Sequence, residues 1–163
     1  LKTLGINKII VIDKESEKSR AMEFGAWEFI GSHGKNGVAG VKDKIRAAAG
    51  DMADAVFICT DSPMGRNVAR RFMKNSGSIC EMGFLCGWRR TPTARYFEDS
   101  MPAGGRFYAA RDYENCMNFL AKAAEMKLPM YKLITHRYKL EEINEAMWTV
   151  VREEGLGIAV FNR

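Results

Sequence analysis

No two cysteines of this sequence stand as a CxxC pair, and its only two histidines, His33 and His136, lie far apart. That excludes a zinc finger or ribbon, whose ligands come at short fixed spacings. The four cysteines, Cys59, Cys80, Cys86 and Cys116, are too scattered for a disulfide framework and suit a reducing cytosol. Cys59 and Cys80 fall inside apolar runs, where a thiol serves as a small apolar side chain. No apolar run approaches the roughly 20 residues of a membrane-spanning helix, and no signal-peptide pattern opens the chain. Charge is not concentrated either. The surplus of +5 is spread along the chain, with Arg70-Arg71 and Trp88-Arg89-Arg90 its densest spots. A nucleic-acid binder gathers its positive charge on one face or arm, so neither nucleic acid nor membrane is expected as a partner. The glycines between Gly31 and Gly40 (GSHGKNGVAG) recur every third residue, which is not GxGxxG and reads as a surface connection.

What the chain does have is alternation. An apolar run, IIVID, ends in Asp13 and is followed at once by a charged helical pattern that Gly25 stops. Strands are predicted at Lys8–Asp13, Ala26–Ile30, Ala55–Thr60, Ser78–Gly83 and Gly157–Phe161, with a further one at Arg106–Ala110. The run Ala55–Thr60 (AVFICT) is of the continuous apolar kind that helices cover on both faces. Helices are predicted over Val41–Ala49, from Pro63 to about Lys74, over a segment that puts Tyr113, Cys116, Met117, Leu120, Ala123, Ala124 and Lys127 on one face, and over one that groups Leu140, Ile143, Met147, Val150 and Val151 before Gly155. Leu1-Lys2-Thr3-Leu4-Gly5 reads as the tail of a helix with a glycine cap. Short loops between alternating strands and helices give an α/β domain with a mostly parallel sheet.

Specific residues at the joints of these elements resemble the coenzyme-binding domain of the zinc-type medium-chain alcohol and polyol dehydrogenases. They are Leu4-Gly5, Ile9–Asp13, Glu23-Phe24-Gly25-Ala26, Ala53-Asp54-Ala55-Val56-Phe57, Ser76-Gly77-Ser78-Ile79 and Met82-Gly83. Leu133–Ala146, LITHRYKLEEINEA, is similar to a family signature over most of its length. The resemblance covers nearly the whole chain. It implies a Rossmann-like, doubly wound sheet that lacks its first, central strand and the glycine-rich loop. Residues 1–163 would then be a partial dinucleotide-binding domain cut inside its first helix, with the separate zinc-bearing catalytic domain outside this sequence.

By the same resemblance Asp13 accepts the ribose hydroxyls of NAD and repels the 2′-phosphate of NADP. Lys18 matches a lysine that reaches that ribose. Both residues also read as a solvated first helical turn, with Glu15 and Glu17 suiting the helix dipole. Cys59 and Thr60 would line the adenosine and nicotinamide-ribose side at one strand end, and Met82, Gly83 and Phe84 the nicotinamide side at the next. Packing alone also accounts for Met82 and Phe84. His136 belongs to the packing signature, so a structural role is expected of it. Gly157 stands where the family often carries a basic group close to the pyrophosphate, which implies a weakened phosphate contact. No catalytic residue and no metal ligand can be named in this chain. The implied activity is hydride transfer between an alcohol or polyol and NAD, with zinc held elsewhere, in a cytoplasmic homo-oligomer. The alternative is a non-catalytic Rossmann-like module for assembly or nucleotide-dependent regulation.

Overall fold

The computed structural model describes residues 1–32, 37–60, 63–82, 102–103, 109–152 and 157–161. Among these, strands and helices alternate: β1 (Ile10–Asp13), α1 (Lys18–Glu23), β2 (Glu28–Gly31), α2 (Gly37–Ala49), β3 (Ala53–Ile58), α3 (Pro63–Ala69), β4 (Met73–Glu81), β5 (Pro102–Ala103), α4 (Ala110–Glu125), β6 (His136–Lys139), α5 (Ile143–Val151) and β7 (Ile158–Phe161). Every strand pair among the described residues is parallel, as the α/β reading expects. The pairs form three separate sheets, β1–β2, β3–β4–β5 and β6–β7.

The chain divides into two compact units, Leu1–Tyr113 and Glu114–Arg163. In the first unit, Leu1 leads into a 3₁₀ turn, Lys2–Leu4, whose end is capped by Gly5 at φ 83° with its N–H donating to the Lys2 carbonyl. The core gathers Ile30 of β2, Val41 and Ile45 of α2, Met52 ahead of β3, and Phe72 of the 3₁₀ turn Arg70–Phe72. Ile10, Ile12, Val38 and Val68 pack around it. Phe29 and Ile30, on opposite faces of β2, are both buried. This is the burial that the apolar runs call for.

Three expectations change here. The helix from Pro63 ends at Ala69, and the strand expected from Ser78 already begins at Met73. Asn75-Ser76-Gly77 reads as a break, yet the chain stays extended through it, with a register shift between Ala53 and Ala55 that absorbs the surplus residues of β4. Gly77 is required there: a Cβ would overlap the Met73 side chain and stand 3.0 Å from the Asp54 carbonyl oxygen. Second, β3 is buried on one face only. Ile58 and the neighbouring Ile79 are 2% exposed, whereas Phe57 is 44% exposed and Ala55 and Cys59 are open. The apolar composition of AVFICT thus overstates its cover, and neither Cys59 nor the half-buried Cys80 is a core thiol. Third, of the strand expected at Arg106–Ala110, residues 106–108 lie outside the described set and Ala110 opens α4.

The second unit contains β6 and β7, paired His136↔Ile158 through Lys139↔Phe161, with α5 against them. The sequence pattern predicts no strand at His136–Lys139. Its alternating burial, half-buried at His136 and Tyr138 and exposed at Arg137 and Lys139, is the period-two signal of a half-covered strand. The apolar face expected of α5 is not the buried one. Leu140, Ile143, Met147, Val150 and Val151 are all exposed, whereas Ala146 and Thr149 are buried, Thr149 against Tyr138 of β6. Among the described residues of α4 only Ala123 is fully buried, and Tyr113, Met117 and Leu120 are exposed. Gly155 lies outside the described residues.

Candidate functional site

Asp13 closes β1 opposite Gly31 of β2, with an exposed side chain. Its carbonyl accepts from the Ser32 N–H at 2.8 Å, and its carboxylate Oδ1 accepts from the Lys14 N–H at 2.7 Å. The backbone bond fixes the strand end, and the local bond turns the carboxylate toward the start of the next helix. A carboxylate has about four acceptor positions, so the Lys14 bond leaves capacity for a ligand's hydroxyls. After Lys14 the chain makes a 3₁₀ turn, Glu15–Glu17, that runs directly into α1.

Lys18, the first residue of α1, is exposed and holds its ammonium 3.7 Å from Glu15 Oε1. Glu17 pairs with Arg20 at 2.6 Å. A Cβ placed on Gly31 would stand 2.6 Å from Glu15 Oε2, so the Glu15 carboxylate lies over the glycine that pairs with Asp13. In the sequence, Glu15 reads as an acid suiting the helix dipole. The register adds that a second acid reaches the same strand end, and the absent side chain at position 31 is the signal that could have found it.

Cys59 and Thr60 follow β3 rather than ending it, since the strand stops at Ile58. The Met82 N–H donates to the Ile58 carbonyl at 2.9 Å, which carries the β3–β4 ladder one bond further and brings Met82 alongside the Cys59 segment. Met82 is 66% exposed. Thr60 is half-buried, and partial desolvation pushes the Cys59 thiol up from its usual range, with nearby Cys80 adding to the shift. Gly83 and Phe84 lie outside the described residues.

In the second unit, His136 Nδ1 lies 3.0 Å from Thr135 Oγ1 and its ring stacks on Tyr138 at 6.2 Å. The Gly157 carbonyl accepts from the Thr135 N–H at 2.9 Å and from the Thr135 hydroxyl at 3.2 Å. A Cβ at Gly157 would overlap the Leu133 carbonyl oxygen and stand 3.2 Å from the carbonyl carbon. This backbone therefore has no room for a basic side chain at position 157, which gives the departure noted in the sequence a local cause. For zinc the fit is poor: among the described residues no group of three His, Cys, Asp or Glu side chains could hold a metal ion. No described helix is long and apolar enough to cross a membrane.

No family model matches the chain. Sorbitol dehydrogenase 1 and sorbitol dehydrogenase 2 of Saccharomyces cerevisiae are each 26% identical to it over 150 residues, covering 89% of this chain and 41% of theirs. Among solved structures, an alcohol dehydrogenase from Thermotoga maritima superposes with a TM-score of 0.81 at 18% identity, covering 98% of this chain and 44% of that one. The chain thus spans about two fifths of the length of the curated relatives it matches. The parallel α/β architecture is the Rossmann-like fold of such dehydrogenases. Over nearly its whole length this chain is similar to the two sorbitol dehydrogenases, and it shares the fold of the alcohol dehydrogenase.

Proposed function

We propose that this chain holds and orients NAD as part of a zinc-type dehydrogenase that moves hydride between an alcohol or polyol and the nicotinamide. The supporting observation is the exposed Asp13 carboxylate at the carboxyl end of a parallel strand, with Glu15 reaching the same place over Gly31. Ligands of open parallel α/β sheets bind outside the carboxyl ends of the strands, and an acid there suits two vicinal ribose hydroxyls. Asp13 accepts those hydroxyls, and Asp13 and Glu15 together disfavour a 2′-phosphate by like charge. Lys18 steadies Glu15 and reaches toward the same ribose. Cys59, Thr60, Met82, Gly83 and Phe84 line the remainder of the dinucleotide path. NAD supplies the hydride chemistry when bound, and no step is assigned to zinc because the described residues do not form a zinc site. The reading carries with it a cytoplasmic homo-oligomer acting on a small molecule.

Titration of the chain with NAD and NADP by calorimetry tests this, alone and in a protein extended by the relatives' preceding strand and glycine loop. NAD is expected to bind more tightly than NADP. Hydrogen bonds to a charged group contribute about 1.5–3 kcal/mol, so Asp13→Ser should weaken NAD about tenfold or more and narrow its advantage over NADP. An unchanged ratio would reduce Asp13 to a solvated strand-end acid. Dimerisation with no nucleotide binding in either form would favour an assembly module.

A further inference from the structure

The open face of the β3–β4 ribbon carries more sulfur than its surroundings explain. The register pairs Ala55 with Ser78, Phe57 with Cys80 and Ile58 with Glu81. The Met82 N–H bond to the Ile58 carbonyl continues that register, so the next rung sets Cys59 beside Met82. Side chains two apart on a strand share a face, and Cys59, Cys80 and Met82 therefore stand on one face. It is the uncovered one: Cys59 is exposed, Cys80 half-buried and Met82 66% exposed, while Ile58 and Ile79 on the opposite face are buried. Phe57 flanks Cys80, and among the described residues of this face, Ala55, Phe57, Cys59, Ser78, Cys80 and Met82, none is a carboxylate.

We propose that Cys59, Cys80 and Met82 form a binding site for a soft, thiophilic metal ion, copper(I) being the ion whose chemistry they fit. Neighbouring strands lie about 4.8 Å apart and rise about 3.3 Å per residue, which puts the Cys59 and Cys80 Cα atoms roughly 8 Å apart along the diagonal. A disulfide needs Cα atoms within about 7 Å, so a direct bond is out of reach without backbone movement. A metal ion with bonds of about 2.3 Å to sulfur spans the difference, because the two sulfurs then need only come within about 4.6 Å. Met82, one strand spacing from Cys59, adds the thioether. Two thiolates and a thioether select a soft ion over the hard cations that prefer oxygen. On binding, each cysteine releases one proton and each sulfur donates an electron pair, with no change of oxidation state. Cysteine spacing along the chain hides this site, since parallel pairing brings together residues from either side of a crossover. The site shares Cys59 and Met82 with the proposed dinucleotide path, but it needs only the β3–β4 register and is tested in the absence of nucleotide.

The test is anaerobic titration of the reduced full chain with copper(I) against a chromophoric copper(I) chelator, followed by X-ray absorption at the copper edge. One copper(I) per chain with an all-sulfur shell is expected. The Cys59→Ser, Cys80→Ser double substitution should abolish binding, whereas Cys116→Ser on α4 should leave it unchanged. Should the cysteine variant lose its far-ultraviolet dichroism, Met82→Leu decides: its exposed side chain can change without unfolding the sheet, and affinity should fall about tenfold. Copper bound through nitrogen or oxygen, undiminished binding in Met82→Leu, or loss of binding in Cys116→Ser would each overturn the site.

Discussion

Gly157 is held at its position by the carbonyl of Leu133, which occupies the space where a Cβ would stand. Gly157→Ala forces β7 away from the segment before β6. Overpacking of this kind costs about 1–3 kcal/mol and should lower the urea midpoint of the second unit; an unchanged midpoint would show that the contact relaxes freely. Thr149 offers a second residue-level test. Its hydroxyl donates to the Glu145 carbonyl at 3.1 Å, which uses its single proton, so at 2.7 Å the Tyr138 hydroxyl must be the donor to Thr149. Thr149→Val leaves that tyrosine proton without its acceptor and should cost about 1–3 kcal/mol, whereas the double variant Tyr138→Phe, Thr149→Val should cost less than the sum of the singles, because removing both partners leaves nothing unsatisfied. Additive losses in chemical denaturation would argue against the bond. Asp13 was legible in sequence because a strand-end acid needs only local pattern. Glu15 over Gly31 was not, because it depends on the pairing of two strands.

At the scale of elements, α5 shows how far hydrophobic pattern can mislead. Leu140, Ile143, Met147, Val150 and Val151 form the more apolar stripe, yet the buried residues of the helix are Ala146 at 3% exposure and Thr149 at 3%, the latter bonded to Tyr138 of β6. Small residues let a helix approach a two-stranded sheet closely, and the sequence pattern weighs hydrophobicity without knowing that distance. Met147→Lys and Val151→Lys should therefore shift the stability of this chain by no more than about 0.5 kcal/mol. Ala146→Leu should destabilise it by about 1–3 kcal/mol through overpacking. The reverse ranking in thermal melts would restore the apolar stripe as the packed face. The strands β1, β2, β3 and β7 were placed within a few residues from the sequence because their apolar runs are bounded by charge or glycine. β6 was missed because His136-Arg137-Tyr138-Lys139 has a polar or charged group at every position and so no apolar alternation to read, and the start of β4 was missed because Asn75-Ser76-Gly77 reads as a turn.

At the scale of the molecule, the two units differ in how much apolar side chain they remove from water. The first buries Phe29, Ile30, Val41, Ile45, Met52, Ile58, Phe72 and Ile79, and fully burying a large apolar side chain contributes about 1.5–3 kcal/mol. Among the described residues of the second, only Ala123, Ala146 and Thr149 are fully buried, and none of these is large. Domains of around 60 residues are already marginal because so much of their surface stays wet, and Glu114–Arg163 is shorter still. Its helices and the β6–β7 pair should then open by local unfolding well below the free energy that opens β3 and β4. Hydrogen exchange followed by mass spectrometry at neutral pH should show amides of Ile143–Val151 and Ile158–Phe161 exchanging at least about tenfold faster than those of Ala53–Ile58, each factor of ten being about 1.4 kcal/mol of opening free energy. Equal protection would mean that the second unit draws stability from a source other than its own buried side chains, and the ranking by buried apolar side chains would fail.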